Sequence, residues 1–134
     1  MKEGNNMIFN NKEYEIDRID TDNENIEIYS KDNEVALYLN GNPNEYNKIK
    51  ELPFNERTNV NELFCWDSEV DYNNMSYVFD MSKDDVYITR LNDYKYLLEI
   101  NIEKPDMIVA YENNKAVEEK SFDNFRISTE IIIK

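Results

Sequence analysis

A chain of 134 residues with 29 acidic side chains against 15 basic ones, a net charge of −14 and no histidine is the size of a single domain, residues 1–134, with room for one core. The acid surplus is even, 14 against 7 in residues 1–66 and 15 against 8 in residues 67–134. The expected surface is therefore negative throughout, and it repels nucleic-acid backbones and anionic lipid headgroups. Disorder is excluded by ten Tyr and six Phe beside only two Gly and three Pro, a composition that favours sheets.

In chain order, Met7–Phe9 reads as a strand that turns at Asn10-Asn11-Lys12 into Glu13–Asp20. Tyr14 and Ile16 share a face while Ile19 has the opposite parity, which predicts a bulge near Asp17-Arg18. Asn25–Ser30 puts Ile26 and Ile28 together. Asp32-Asn33 suits a tight turn, because both residues tolerate the left-handed region. Glu34–Asn40 then sets Val35, Leu37 and Leu39 on one face and Ala36 and Tyr38 on the other.

Asn40-Gly41-Asn42-Pro43 breaks this first meander. Asn42 can cap a helix with Pro43 at its first position, and Tyr46, Ile49 and Leu52 recur at helical spacing before Pro53. The spacing predicts a short helix from about Pro43 to Glu51, a helical insertion near 43–52. A second helical turn is expected over 59–64, where Asn59 and Glu62 form a capping box ahead of Leu63 and Phe64.

The stretch from Met75 to Tyr111 shows the period of two most clearly. Met75, Tyr77, Phe79 and Met81 alternate with Ser76, Val78 and Asp80, and Tyr96, Leu98, Ile100 and Ile102 alternate with Leu97, Glu99, Asn101 and Glu103. With Val86–Leu91 between them, linked by Ser82–Asp85 and Asn92-Asp93, and Met107–Tyr111 after Pro105, the stretch reads as a β-meander. Ala116–Lys120 follows across an Asn113-Asn114 hairpin turn. In Phe125–Ile133 one face is lined by Phe125, Ile127, Thr129, Ile131 and Ile133, and the apolar end Ile131–Ile133 reads as a central strand buried on both sides. The expected fold is mainly β, or β-rich α+β, with about ten short antiparallel strands in meanders forming a sandwich or a rolled sheet or barrel.

Catalytic chemistry finds little support. Without histidine, Ser-His-Asp and Cys-His arrangements and histidine metal sites are impossible. Gly4 and Gly41 are too far apart for a phosphate-cradling loop. Cys65, flanked by Phe64 and Trp66, reads as a small buried hydrophobe, and a lone cysteine agrees with a reducing compartment. Asp20, Asp22 and Glu24 alternate faintly like the start of a calcium loop, but the glycine and distal glutamate of that motif are missing, and ordinary turn chemistry explains them. No catalytic residue, metal or cofactor is expected. No apolar run approaches the roughly 18 residues that span a bilayer, and Met1–Asn11 lacks a signal-peptide core, so a cytoplasmic location is expected. Abundant Asn, Ile, Lys and Tyr with scarce Ala suggests AT-rich coding, as in a low-GC bacterium or its phage.

The stretch Cys65–Asn74 holds the one tryptophan, three acids, a tyrosine and no base. It reads as an exposed connection, fitting neither a regular strand nor a helix. Trp66, Asp67, Glu69, Asp71 and Tyr72 are the candidate partner-binding residues, since rings supply desolvated anchors and acids supply steering toward lysine or arginine. The plainer alternative has Trp66 plugging the core and the acids solvating a loop. In overall character (small, acidic, β-rich, without catalytic motifs) the chain resembles a toxin-neutralising immunity protein. That resemblance implies a non-catalytic inhibitor that occludes the active site of a basic toxin or nuclease, with a basic protein as partner and no direct contact with nucleic acid or membrane. The alternatives are an intracellular small-ligand carrier built as a β-barrel and a structural or assembly subunit.

Overall fold

The structure, a computed structural model, describes residues 6–22, 25–41, 43–60, 67–79, 85–109 and 118–133. Among these residues the strands are β1 (Asn6–Phe9), β2 (Lys12–Thr21), β3 (Asn25–Ser30), β4 (Val35–Asn40), β5 (Arg57–Asn59) and β6 (Asp67–Tyr72). They continue with β7 (Met75–Phe79), β8 (Asp85–Arg90), β9 (Lys95–Ile102), β10 (Asp106–Val109), β11 (Glu118–Ser121) and β12 (Phe125–Ile132), and the helix α1 spans Pro43–Lys50. All twelve strands join one antiparallel sheet in the order β11-β10-β7-β6-β4-β3-β2-β1-β12-β9-β8-β5.

The sheet curls into a half-barrel with its apolar face inward. Phe79 on β7 meets Phe125 on β12 at 5.8 Å between ring centroids, although these strands lie six places apart in the sheet. Phe9 reaches Tyr72, Phe122 and Phe125 at 5.0, 4.9 and 5.4 Å. One contiguous core results, into which α1 and the turn after it contribute Ile49 and Leu52. Alternation drives this burial: Ile26 and Ile28, then Val35, Leu37 and Leu39, then Tyr96, Leu98, Ile100 and Ile102 all point inward. The bulge appears where parity required it. The β2–β3 register shifts between Ile16 and Arg18, so Ile16 and Ile19 both pack against the core.

Asparagine and aspartate make the turns. Asn10, Asn11, Asp32, Asn33, Asn73 and Asn74 all have φ between 53° and 65°, the left-handed region these residues tolerate best after glycine. Ser30, itself buried, closes the second of these turns by accepting the Val35 N–H at 2.9 Å. The turn at Asn10 is tied to the β11–β12 link, where the Asn10 amide donates to the Asn124 carbonyl at 3.1 Å.

Three expectations need correcting. Met75–Tyr111 is not one meander. β7 pairs with β6 and β10, whereas β8 pairs with β5 and β9, so the chain crosses twice between the two halves of the curled sheet. Asp67–Tyr72 is a strand rather than an irregular connection, with Ser68 and Val70 inward and the Ser68 hydroxyl donating to the Phe79 carbonyl at 2.7 Å. Asn59 ends β5 and Val60 is already in 3-10 conformation, so the expected helical turn begins there, and residues 61–64 lie outside the described residues. β12 is central but buried on one face only, for Ile131 and Ile133 are buried while Ile132 is 39% exposed. The expected Asn113-Asn114 turn also lies outside the described residues. No helix among them is long and apolar enough to cross a membrane.

Arg90 fastens the segment between α1 and β5 to the sheet. Its Nη1 donates to the Leu52 carbonyl at 3.1 Å, its guanidinium lies 4.4 Å from the Phe54 ring centroid, and its Nη2 is 3.7 Å from Asp93. Arg90→Ala strands a carbonyl and removes a stacking partner, so a loss of about 2 kcal/mol is expected. Urea unfolding would measure it, together with faster proteolysis at residues 51–56. A variant as stable and as resistant as the parent would refute this fastening role.

Candidate functional site

The outer face of β2, β3, β4, β6, β7, β10 and β11 carries two rows of side chains set by the strand register. The first runs Arg18–Tyr29–Ala36–Asp71–Ser76. The second runs Asp20–Glu27–Tyr38–Glu69–Val78–Ile108–Glu119. Each row exists because the inward positions of these strands are claimed by Ile26, Ile28, Leu37, Leu39, Val70 and Tyr77, which forces the intervening residues outward.

Within the rows the side chains order one another. Tyr29 and Tyr38 meet edge to face at 5.8 Å. The Tyr29 hydroxyl donates to Glu27 at 2.6 Å, and the Ser76 hydroxyl donates to Asp71 at 2.8 Å. The Arg18 guanidinium sits 4.1 Å from the Tyr29 ring centroid, with its Nε 2.9 Å from Asp20. Beyond Glu69 the face turns apolar, where Val78 and Ile108 oppose each other across β7 and β10, 40% and 47% exposed.

Burial raises the Tyr38 phenol, helped by the negative charge of Asp71. Tyr29 is raised first by its hydrogen bond to Glu27 and then by burial. At the strand end Tyr14 is pushed up to about 12, mainly by burial and then by Tyr72. These phenols stay neutral at physiological pH and serve as hydrogen-bonding groups. Glu69 is raised by partial burial and then by the Asp71 charge. Because its folded-state pKa exceeds its unfolded one, Glu69 favours the fold below the unfolded value and loses that contribution as pH rises through the folded one. Glu69→Gln is therefore expected to melt higher than the parent at pH 7 and to match it near pH 4. Thermal unfolding at both pH values checks this, and a lower melting point at pH 7 would contradict it.

Two adjoining concavities open on this half of the sheet. One, ≈ 430 Å³, is lined by Tyr29, Ala36, Tyr38 and Asp71, and the other, ≈ 470 Å³, by Lys12, Tyr14, Asp32 and Glu34. The Asn73-Asn74 turn and Tyr72 border both. A third, ≈ 410 Å³, opens on the outer face of the other half, where Arg57 pairs with Glu99 at 3.1 Å and lies 3.6 Å from the Tyr87 ring centroid.

Of the residues expected to bind a partner, Glu69 and Asp71 stand side by side on the outer face. Tyr72 has the opposite parity, and its ring packs at 5.0 Å against Phe9 and 5.9 Å against Phe122. Asp67 opens β6. Trp66 lies outside the described residues, as do Cys65 and Glu24. Asp20 is committed to Arg18, and Asp22 accepts the Asn25 N–H at 2.8 Å. Among the described residues no group of three or more ligating side chains is placed to hold a metal ion.

Tyr29, Tyr38, Val78 and Ile108 escaped sequence reasoning as site residues. A legible signal existed, because large rings and aliphatic groups stood at positions whose parity pointed away from the core. The arrangement suits binding, with neutral phenols, carboxylates and a small apolar pair on a rigid sheet. No protein-family model matches the chain, and no curated protein or solved structure matches it either.

Proposed function

We propose that the chain is a non-catalytic acidic binding protein that docks on a basic protein through the outer face of β3, β4, β6, β7 and β10. It would act as an immunity- or inhibitor-type protein that occludes the active site of a toxin or nuclease. The observation that carries this reading is the second row, where Tyr38, Val78 and Ile108 interleave with Glu27, Glu69 and Glu119. Rings and aliphatic groups supply desolvated contact, and the acids steer the encounter with a cationic surface. From β2 to β10 the face is roughly 25 Å across at ordinary strand spacing, matching a patch of about 800 Å² on each partner. The net charge of −14 adds long-range attraction that raises the association rate and weakens with salt.

The carrier alternative draws less support, because the concave side of the sheet is occupied by buried Phe9, Tyr96, Phe125 and their aliphatic neighbours. The test uses any basic toxin or nuclease domain that a neighbouring gene is found to encode, and absence of such a gene counts against the proposal. Mixed at micromolar concentration, the two are expected to elute as a 1:1 complex, with activity falling in proportion to the chain added. Separate elution with full activity would overturn the proposal.

A further inference from the structure

The row Arg18–Tyr29–Ala36–Asp71–Ser76 contains one residue much smaller than its neighbours. Alanine is depleted in strands because it leaves the pleated surface unfilled, and here the gap persists. Ala36 is 4% exposed and lines the ≈ 430 Å³ concavity together with Tyr29, Tyr38 and Asp71. These flanking groups are held in place, the two rings by each other at 5.8 Å and the carboxylate by Ser76 at 2.8 Å.

The chain shows within itself which chemistry this neighbourhood accepts. Arg18 is clamped between a ring, Tyr29, and a carboxylate, Asp20. Tyr38 on β4 and Asp71 on the adjacent strand β6 place a second ring and carboxylate on the lining of the concavity, with the Tyr38 hydroxyl hydrogen-bonded to Asp71. Among the described residues no lysine or arginine pairs with Asp71 or Glu69.

We propose that the depression over Ala36 is a socket for one arginine side chain of the partner, which deepens the docking reading and rests on it. The guanidinium would stack on a tyrosine ring and direct its fork at Asp71. Arginine fits better than lysine because a planar, weakly hydrated cation stacks on rings and bonds carboxylates in pairs. Anions are disfavoured, since the carboxylates Glu34 and Asp71 line the depression and the cation on its lining, Arg18, is already paired with Asp20.

The probe is the capped tripeptide acetyl-Gly-Arg-Gly-amide, titrated into the isotope-labelled chain beside its lysine and glutamate analogues. Saturable amide shifts are expected at Ala36, Tyr38, Asp71 and Ser76, with the lysine peptide about threefold weaker or more and the glutamate peptide silent. Ala36→Leu fills the depression from its floor and is expected to abolish the response while the melting temperature holds. Asp71→Asn keeps the shape, loses the charge and is expected to bind about tenfold more weakly, which decides the matter even if Ala36→Leu does not fold. Equal response to lysine, shifts spread over the acidic surface, or indifference to Asp71→Asn would overturn the socket. A toxin complex that survives Ala36→Leu removes the socket and leaves the docking face. Failure of the parent chain to form any such complex removes the docking face.

Discussion

Truncating Phe9 to alanine is expected to lower the unfolding free energy by about 3–5 kcal/mol, out of the roughly 5–15 kcal/mol that a domain of this size commands. Phe9 is fully buried and touches three other rings, Tyr72, Phe122 and Phe125, within 5.4 Å. Those rings belong to β6, to the link before β12 and to β12 itself, so one side chain joins parts of the sheet that the curl brings together. Removing it leaves a cavity whose aromatic lining cannot collapse without moving three strands. Urea unfolding of Phe9→Ala is the measurement, with Tyr94→Ala as the comparison. Tyr94 is 51% exposed, and its loss should stay within about 0.5 kcal/mol. Similar stabilities for the two variants would mean that the aromatic cluster does not hold the curl.

Reversing charge at the centre of the docking face gives the second large effect. Glu69→Arg with Asp71→Arg is expected to weaken binding to a basic partner by about a hundredfold or more, since like charges brought together across an interface cost several kcal/mol. Stability should change less than binding, because both side chains lie on the outer face and neither belongs to the buried core. The control is Glu56→Arg with Glu103→Arg, two exposed positions away from that face. It alters total charge by the same amount in a different place. Surface-plasmon or calorimetric titration against the toxin domain reads both pairs. Equal weakening by the two pairs would reduce the interaction to bulk charge and remove the case for a defined face.

Much of the strand content was legible because period-two alternation reports burial on one side directly. Val35, Leu37 and Leu39 against Ala36 and Tyr38 specified which residues of β4 face the core before any partner strand was known. The bulge after Ile16 was legible for the same reason, since the parity of Ile16 and Ile19 could be reconciled only by an extra residue. β6 was missed because its inward residues begin with Ser68, whose hydroxyl finds a carbonyl inside the protein, while its outward positions Glu69 and Asp71 look like a solvated loop.

The sequence by itself determined the mainly β class, the left-handed Asn and Asp turns at 10–11 and 32–33, the short helix at Pro43 and the inward faces of the strands. Each of these depends on residues within a few positions of one another. Tertiary structure alone decided that β6 lies beside β4 while β8 lies across the curl with β9 and β5. That choice rests on contacts such as Phe9 with Tyr72 and Phe79 with Phe125, between residues far apart in the chain and with no local signature. The same choice set Tyr38 beside Glu69 and Asp71 and left Ala36 as the low point among them. Single strands supplied the side chains of the candidate site, and packing made them neighbours.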